Sequence, residues 1–186
     1  MIKIILSGGG DIVGNKKRLF FNEILKGVNK KKGVAFVLVV PFARAENDWK
    51  KVFKKYLKKY DGLKIKKKFI LASPNNKIFK KQIRKSNLIF LCGGSELPLL
   101  GYLKDLKLED LNNKVVVGIS AGTNIFSKYY YSNDRNTIGR GLGLLPIKTL
   151  CHYNNQRYSR FKKLIKHGNK YITYIIKEGD YIKVEI

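Results

Sequence analysis

Val115-Val116-Val117-Gly118-Ile119-Ser120-Ala121-Gly122-Thr123 sets three consecutive β-branched residues directly before a Gly-x-Ser-x-Gly pattern. The valine run reads as a strand buried on both faces, as in parallel sheets. A strand ending in Gly-x-Ser-x-Gly turns sharply into a helix and holds its serine hydroxyl exposed above the sheet. Gly118 and Gly122 give room for that turn. A serine at a helix start also meets the positive end of the helix dipole. A glycine-flanked turn with a capping serine has the same local composition. The valines before it and the helix start after it favour the nucleophile elbow. The stretch therefore predicts an α/β sheet carrying Ser120 as the nucleophile of a serine hydrolase.

Outward from this point the chain alternates short apolar runs with longer mixed ones. Strands are expected at Ile2–Ser7, Val34–Val40, Lys64–Ile70, Asn87–Leu91 and Lys114–Gly118. Helices are expected at Lys16–Gly27, Asp48–Tyr60, Lys77–Lys85 and Glu96–Leu103. In the second helix Trp49, Val52, Phe53, Tyr56 and Leu57 recur at helical spacing and read as core, with lysines opposite. Such alternation predicts a mostly parallel, doubly wound sheet with helices on both faces. Beyond Ser120 it weakens. Tyr129–Ser132 and Pro146–Cys151 read as strands and Gln156–Lys166 as a helix. Tyr171–Lys177 and Tyr181–Ile186, joined through Glu178-Gly179-Asp180, read as a C-terminal β-hairpin.

The 186 residues fit one domain, 1–186, large enough to bury a core without disulfides. Two cysteines, Cys92 and Cys151, do not make a disulfide framework and suit a reducing compartment. The opening apolar run is too short for a signal peptide or a membrane span, so a cytoplasmic protein is expected. No metal-ligand cluster is visible, and Val13 spoils a dinucleotide fingerprint after Gly8-Gly9-Gly10, so no cofactor is expected. A net charge of +26 suggests a partner of opposite sign. Yet the lysines spread over apparent helix faces and lack interleaved Gly-aromatic motifs. They read as solvated faces in a chain rich in Lys, Asn, Ile, Tyr and Phe. Specific nucleic-acid binding is not expected, though salt-sensitive polyanion binding stays open.

A serine hydroxyl needs a base. Of two histidines, His167 in Lys-His-Gly reads as a helix C-terminal cap, which leaves His152. Asp134 lies between serine and histidine, in the Ser…Asp…His order of many α/β hydrolases. It reads equally as a turn aspartate beside Asn133. Two backbone N–H groups are needed for an oxyanion. Ala121 offers one, and the Gly93-Gly94 turn, Gly94 in particular, offers the second.

These pieces resemble the serine-type dipeptidase E and cyanophycinase family, with its class I glutamine-amidotransferase-like fold. The resemblance rests on Leu6-Ser7-Gly8-Gly9-Gly10, Val40-Pro41-Phe42-Ala43, Phe90-Leu91-Cys92-Gly93-Gly94, Gly118-Ile119-Ser120-Ala121-Gly122, Ser132-Asn133-Asp134, Gly141-Leu142-Gly143-Leu144-Leu145-Pro146, and His152-Tyr153 followed by Arg157 and Arg160. They run in family order over nearly the whole chain. The resemblance implies a Ser120, His152 and Asp134 triad and cleavage after an N-terminal aspartate in a short peptide. It departs at Cys151 and in the short segment after the histidine, which makes a cyanophycin polymer less expected. An aspartate side chain calls for a cation, and Arg157 matches a family position after the histidine; a solvated arginine on its helix fits the same place. Asn15, after the glycine loop, is expected to shape the pocket.

The partner implied is a small peptide substrate, with no membrane; a homodimer is left open. A glutaminase of amidotransferase type is disfavoured by serine at the elbow. A non-catalytic binding module gains ground if Asp134 does not face His152. A polyanion-binding protein gains ground if binding outlives replacement of Ser120.

Overall fold

The computed structural model describes residues 1–28, 33–168 and 170–186. Five parallel strands form most of its larger sheet: β1 (Lys3–Ser7), β2 (Ala35–Val40), β3 (Lys67–Leu71), β4 (Leu88–Leu91) and β5 (Val115–Ile119). Between them run α1 (Gly14–Gly27), α2 (Trp49–Lys59), α3 (Asn76–Lys85) and α4 (Glu96–Leu103). Val115 and Val117 pack with Phe20 and Ile24 of α1 and Tyr56 of α2. Val116 faces the other way, into Phe79 and Ile83 of α3 and Leu99 and Leu103 of α4. Burial on both faces is why this strand shows no apolar–polar alternation. Each such aliphatic contributes about 1.5–3 kcal/mol.

The strand order places β5 between β1 and β4, with β2 and β3 beyond. Asn75 caps α3 by accepting from the Ile78 N–H at 3.1 Å. At the other end of α3 the buried Lys114 ammonium donates to the Arg84 and Ser86 carbonyls, so two orphan acceptors gain a charged donor.

A smaller sheet follows. Its strands are β6 (Tyr129–Ser132), β7 (Thr137–Arg140), β8 (Ile147–Tyr153) and β9 (Ile172–Lys177), in the order β7-β6-β8-β9. One face is covered by α6 (Tyr158–Lys166), whose Leu164 packs on Tyr131 and Leu150; the single turn α5 (Ala121–Asn124) precedes this sheet in the chain. Lys148, itself buried, donates to the Leu164, Ile165 and His167 carbonyls and so closes the C-terminus of α6. His167 is the exposed C-cap of that helix, as its sequence context predicts.

The last strand, β10 (Tyr181–Glu185), pairs antiparallel with β1 at the edge of the larger sheet. The expected C-terminal hairpin is thus corrected. β9 pairs with β8 and β10 with β1, so the Glu178-Gly179-Asp180 turn passes the chain from one sheet to the other. Along β1 all five residues, Lys3 to Ser7, find partners in β10, from Glu185 to Tyr181. No described helix is long and apolar enough to cross a membrane.

One ionic cluster joins α1 to this edge. Glu23 meets Lys3 at 3.2 Å, Lys26 at 3.1 Å and Lys183 at 3.4 Å. Burial pushes the Glu23 carboxyl up, but hydrogen bonds from Lys26 and Lys3 and the charges of Lys3 and Lys183 outweigh it and hold it at about 2. A carboxyl depressed on folding stabilises the fold above its unfolded value near 4.5 and loses that contribution as pH falls toward 2. Glu23→Gln is therefore expected to lower the urea midpoint at pH 7, with the gap to the natural chain closing between pH 4.5 and 2. Parallel urea titrations across that range measure it; a gap independent of pH would assign the loss to packing instead.

Candidate active site

The carboxyl ends of β1, β5 and β4 lie side by side, so Gly8–Gly10 flanks Ser120 on one side and Cys92–Gly94 on the other. The Pro41–Arg44 loop after β2 lies next in the row. This is the edge at which open parallel sheets bind ligands. Ser120 has φ 51° and ψ −108°, a strained conformation for a residue with a Cβ, worth about 1–3 kcal/mol. Its N–H donates to the Ser7 carbonyl at 3.0 Å. The Thr123 hydroxyl, below it, donates to the Ser7 and Gly118 carbonyls at 2.7 and 2.9 Å. A Cβ on Gly118 would stand 2.5 Å from the Gly122 oxygen, and one on Gly122 would stand 2.1 Å from the Leu91 oxygen. Close backbone packing, beyond freedom of the turn, requires both glycines. The helix after the elbow is one turn long, so the expected dipole is small and the free N–H groups at its start matter more.

Ser120 Oγ lies 2.7 Å from His152 Nε2. His152 sits where the β8–β9 register shifts between Cys151 and Tyr153, with φ 54°. The bulge turns its ring toward the larger sheet, and its N–H donates to the Gly8 carbonyl at 3.0 Å. On the far side of the ring, Nδ1 is 2.7 Å from Glu178 Oε1. With Nδ1–H donating to that carboxylate, Nε2 is left to accept the serine proton.

The triglycine loop makes this approach possible. A Cβ on Gly9 would lie 2.2 Å from His152 Cε1, and one on Gly10 would lie 3.0 Å from Glu178 Cβ. The Gly9 carbonyl accepts from the Gly179 N–H at 2.8 Å, and the Gly8 N–H donates to the Asp180 carbonyl at 3.1 Å. The loop thus clamps the turn that carries Glu178 against the histidine.

The other sequence candidates separate. Asp134 is exposed on the turn between β6 and β7 and is not the carboxylate at His152; the tight antiparallel connection keeps it a turn aspartate. Glu178 was missed because the Ser…Asp…His order directs attention to residues before the histidine. Its only local signal was a glutamate beside glycine in an interstrand turn. Arg157 donates from Nη1 to the His152 carbonyl, bracing the bulge from outside the cavity. Asn15 is exposed in the first turn of α1 and does not line the cavity. Gly93 and Gly94 do line it beside Ser120, and among the described residues their N–H groups donate to no backbone acceptor. Ala121 is the first residue of α5, where N–H groups lack a helical partner.

The cavity holds about 470 Å³, within the range of small-ligand sites. Asp11, Arg44, Asp48, Lys51, Lys55 and Lys59 supply its charges. Arg44 Nε donates to the Gly93 carbonyl at 2.7 Å, and a Cβ on Gly94 would come within 2.9 Å of that Nε. Cys92 also lines it, but burial pushes its thiol up to about 12, so it stays protonated near neutral pH.

Residues 4–185 match the model of peptidase family S51. Among solved structures, a peptidase from an acI-B1 Actinobacterium is similar with a TM-score of 0.70 and 20% identity, over 100% of this chain and 84% of the other. A candidate peptidase E protein from Listeria monocytogenes EGD-e is similar with a TM-score of 0.66 and 21% identity, over 100% of this chain and 99% of the other. At these identities the likeness is one of fold. None of the curated proteins compared with the chain matches it.

Proposed function

The chain belongs to peptidase family S51, and from that premise we propose that it is a serine peptidase for short peptides, foremost dipeptides with an N-terminal aspartate. The observation that carries this reading is the unbroken line from Ser120 Oγ through His152 to Glu178, with 2.7 Å at each step. As Oγ attacks the scissile carbonyl carbon, His152 Nε2 takes the hydroxyl proton. Glu178 stabilises the imidazolium that forms. The Ala121 and Gly94 N–H groups receive the oxyanion. Nε2 then gives its proton to the leaving amine as the C–N bond breaks, which leaves an acyl ester on Ser120. Water, deprotonated by His152, hydrolyses that ester and restores the serine. Cytoplasmic residence accords with two free, buried thiols.

The cation for the aspartate side chain is reassigned from Arg157 to Arg44. Arg44 lies in the cavity, and its bond to Gly93 uses only Nε, which leaves the Nη groups for a carboxylate. A glutaminase is disfavoured, because serine holds the elbow and the nearby Cys92 thiol stays protonated. The absence of Asp134 from His152 does not favour a non-catalytic module, because Glu178 stands there.

Asp-Leu, Ala-Leu and Lys-Leu assayed for free amine test the reading. Asp-Leu is expected to exceed the others in kcat/KM by about 10-fold or more, since only its side-chain carboxylate can take a charge-assisted, bidentate pair from the exposed Arg44 guanidinium. Equal rates on all three would reject the aspartyl assignment, and no release from any would reject the peptidase.

A further inference from the structure

The lysines of α2 do not all turn to bulk water. Lys51, Lys55 and Lys59 recur every four residues, and all three line the cavity beside Ser120. Four residues along a helix advance about 6 Å, so the row runs about 12 Å in all. A peptide extends at most about 3.3–3.6 Å per residue, so adjacent lysines about 6 Å apart stand less than two extended residues from each other and can both reach one acidic side chain.

The charges of the cavity do not balance. Arg44 and the three lysines face two carboxylates, Asp11 and Asp48, which leaves two positive charges in excess. Lys59 is taken by Asp11 at 2.8 Å. No described carboxylate forms an ion pair with Lys51 or Lys55. Both lysines are exposed within the cavity wall. A dipeptide led by aspartate and ending in a neutral residue carries one negative charge net. A second acidic side chain brings the count to two.

We propose that this enzyme selects doubly acidic short peptides, Asp-Asp and Asp-Glu, with Lys51 and Lys55 holding the acidic side chain that Arg44 does not. The proposal rests on the serine-peptidase reading above and names its substrate class. Lys51 and Lys55 act in recognition and do not touch the reacting atoms. Because the pairs are solvent-exposed, each is modest, and their benefit falls with salt.

The test compares Asp-Glu, Asp-Gln and Asp-Leu on the natural chain and on Lys51→Gln/Lys55→Gln. Glutamine matches glutamate in shape, so the Asp-Glu to Asp-Gln ratio of kcat/KM reads charge alone. A ratio of about 5–10 is expected at low ionic strength. It should fall toward 1 at 0.5 M salt, and below about 2 in the double variant. Both substitutions are at exposed sites, and circular dichroism checks the fold. If Asp-Leu and Asp-Gln are cleaved but Asp-Glu gains nothing, this proposal fails and the peptidase reading stands. If none is cleaved, both fail. If a four-nucleotide single strand inhibits as strongly as a non-cleavable Asp-Glu analogue, the row is a general polyanion path and the proposal is overturned.

Discussion

Ser120→Ala is expected to lower turnover of Asp-led dipeptides by about 10⁴–10⁶-fold while the protein stays folded. The hydroxyl's partner is His152 Nε2, and the strained backbone at φ 51° is held by the Ser7 carbonyl and the glycine contacts beneath it. Alanine keeps the Cβ and leaves those backbone bonds in place, so the melting temperature should move by no more than about 2 °C. Residual rate over water is expected, because the N–H groups of Ala121 and Gly94 and the cationic wall still bind substrate. Stopped-flow or overnight amine release, read beside a thermal melt, measures both quantities. Unchanged turnover would remove the serine mechanism, and collapse of the melt would show that Oγ holds the fold.

The larger sheet was legible in the sequence because two-sided burial forces continuous apolar runs with glycine, proline or asparagine at their ends. Val115–Val117 is the clearest case, and the observed β5, Val115–Ile119, differs from the expected strand by one residue at each end. The smaller sheet was less so. Thr137–Arg140 is four residues with an internal glycine, too short for a period to register. The partition of β9 and β10 between sheets is decided by pairing with β8 and β1, which lie far away in sequence. Local turn chemistry at Glu178-Gly179-Asp180 fits a hairpin equally well. In the site, Ser120 and His152 were readable from motif and scarcity. Glu178 was hidden by the same non-local pairing, since only the arrival of β9 beside β8 carries it to the histidine. The face of α2 turned to the cavity was hidden too, because Lys51, Lys55 and Lys59 have the spacing of any solvated lysine stripe.

Glu178→Gln is expected to cost about 10²–10⁴-fold in kcat, whereas Asp134→Asn should stay within about twofold. Glutamine has the shape of glutamate but no charge to stabilise the imidazolium. Its amide can also donate to Nδ1, which moves the imidazole proton to Nε2 and removes the acceptor that Ser120 needs. Glu178 is 65% exposed, so water partly replaces its charge, which favours the lower end of that range. Glu178→Asp separates charge from reach: it keeps the carboxylate but shortens it, and should recover part of the loss in kcat. Asp134 lies exposed on the β6–β7 turn, where an amide serves as well. Steady-state kinetics of the three variants on Asp-Leu decide between the carboxylates. A loss at Asp134→Asn equal to that at Glu178→Gln would show that the β6–β7 turn closes on the histidine during turnover. A large loss at Glu178→Gln alone would show that the turn between the two sheets is what orients the base.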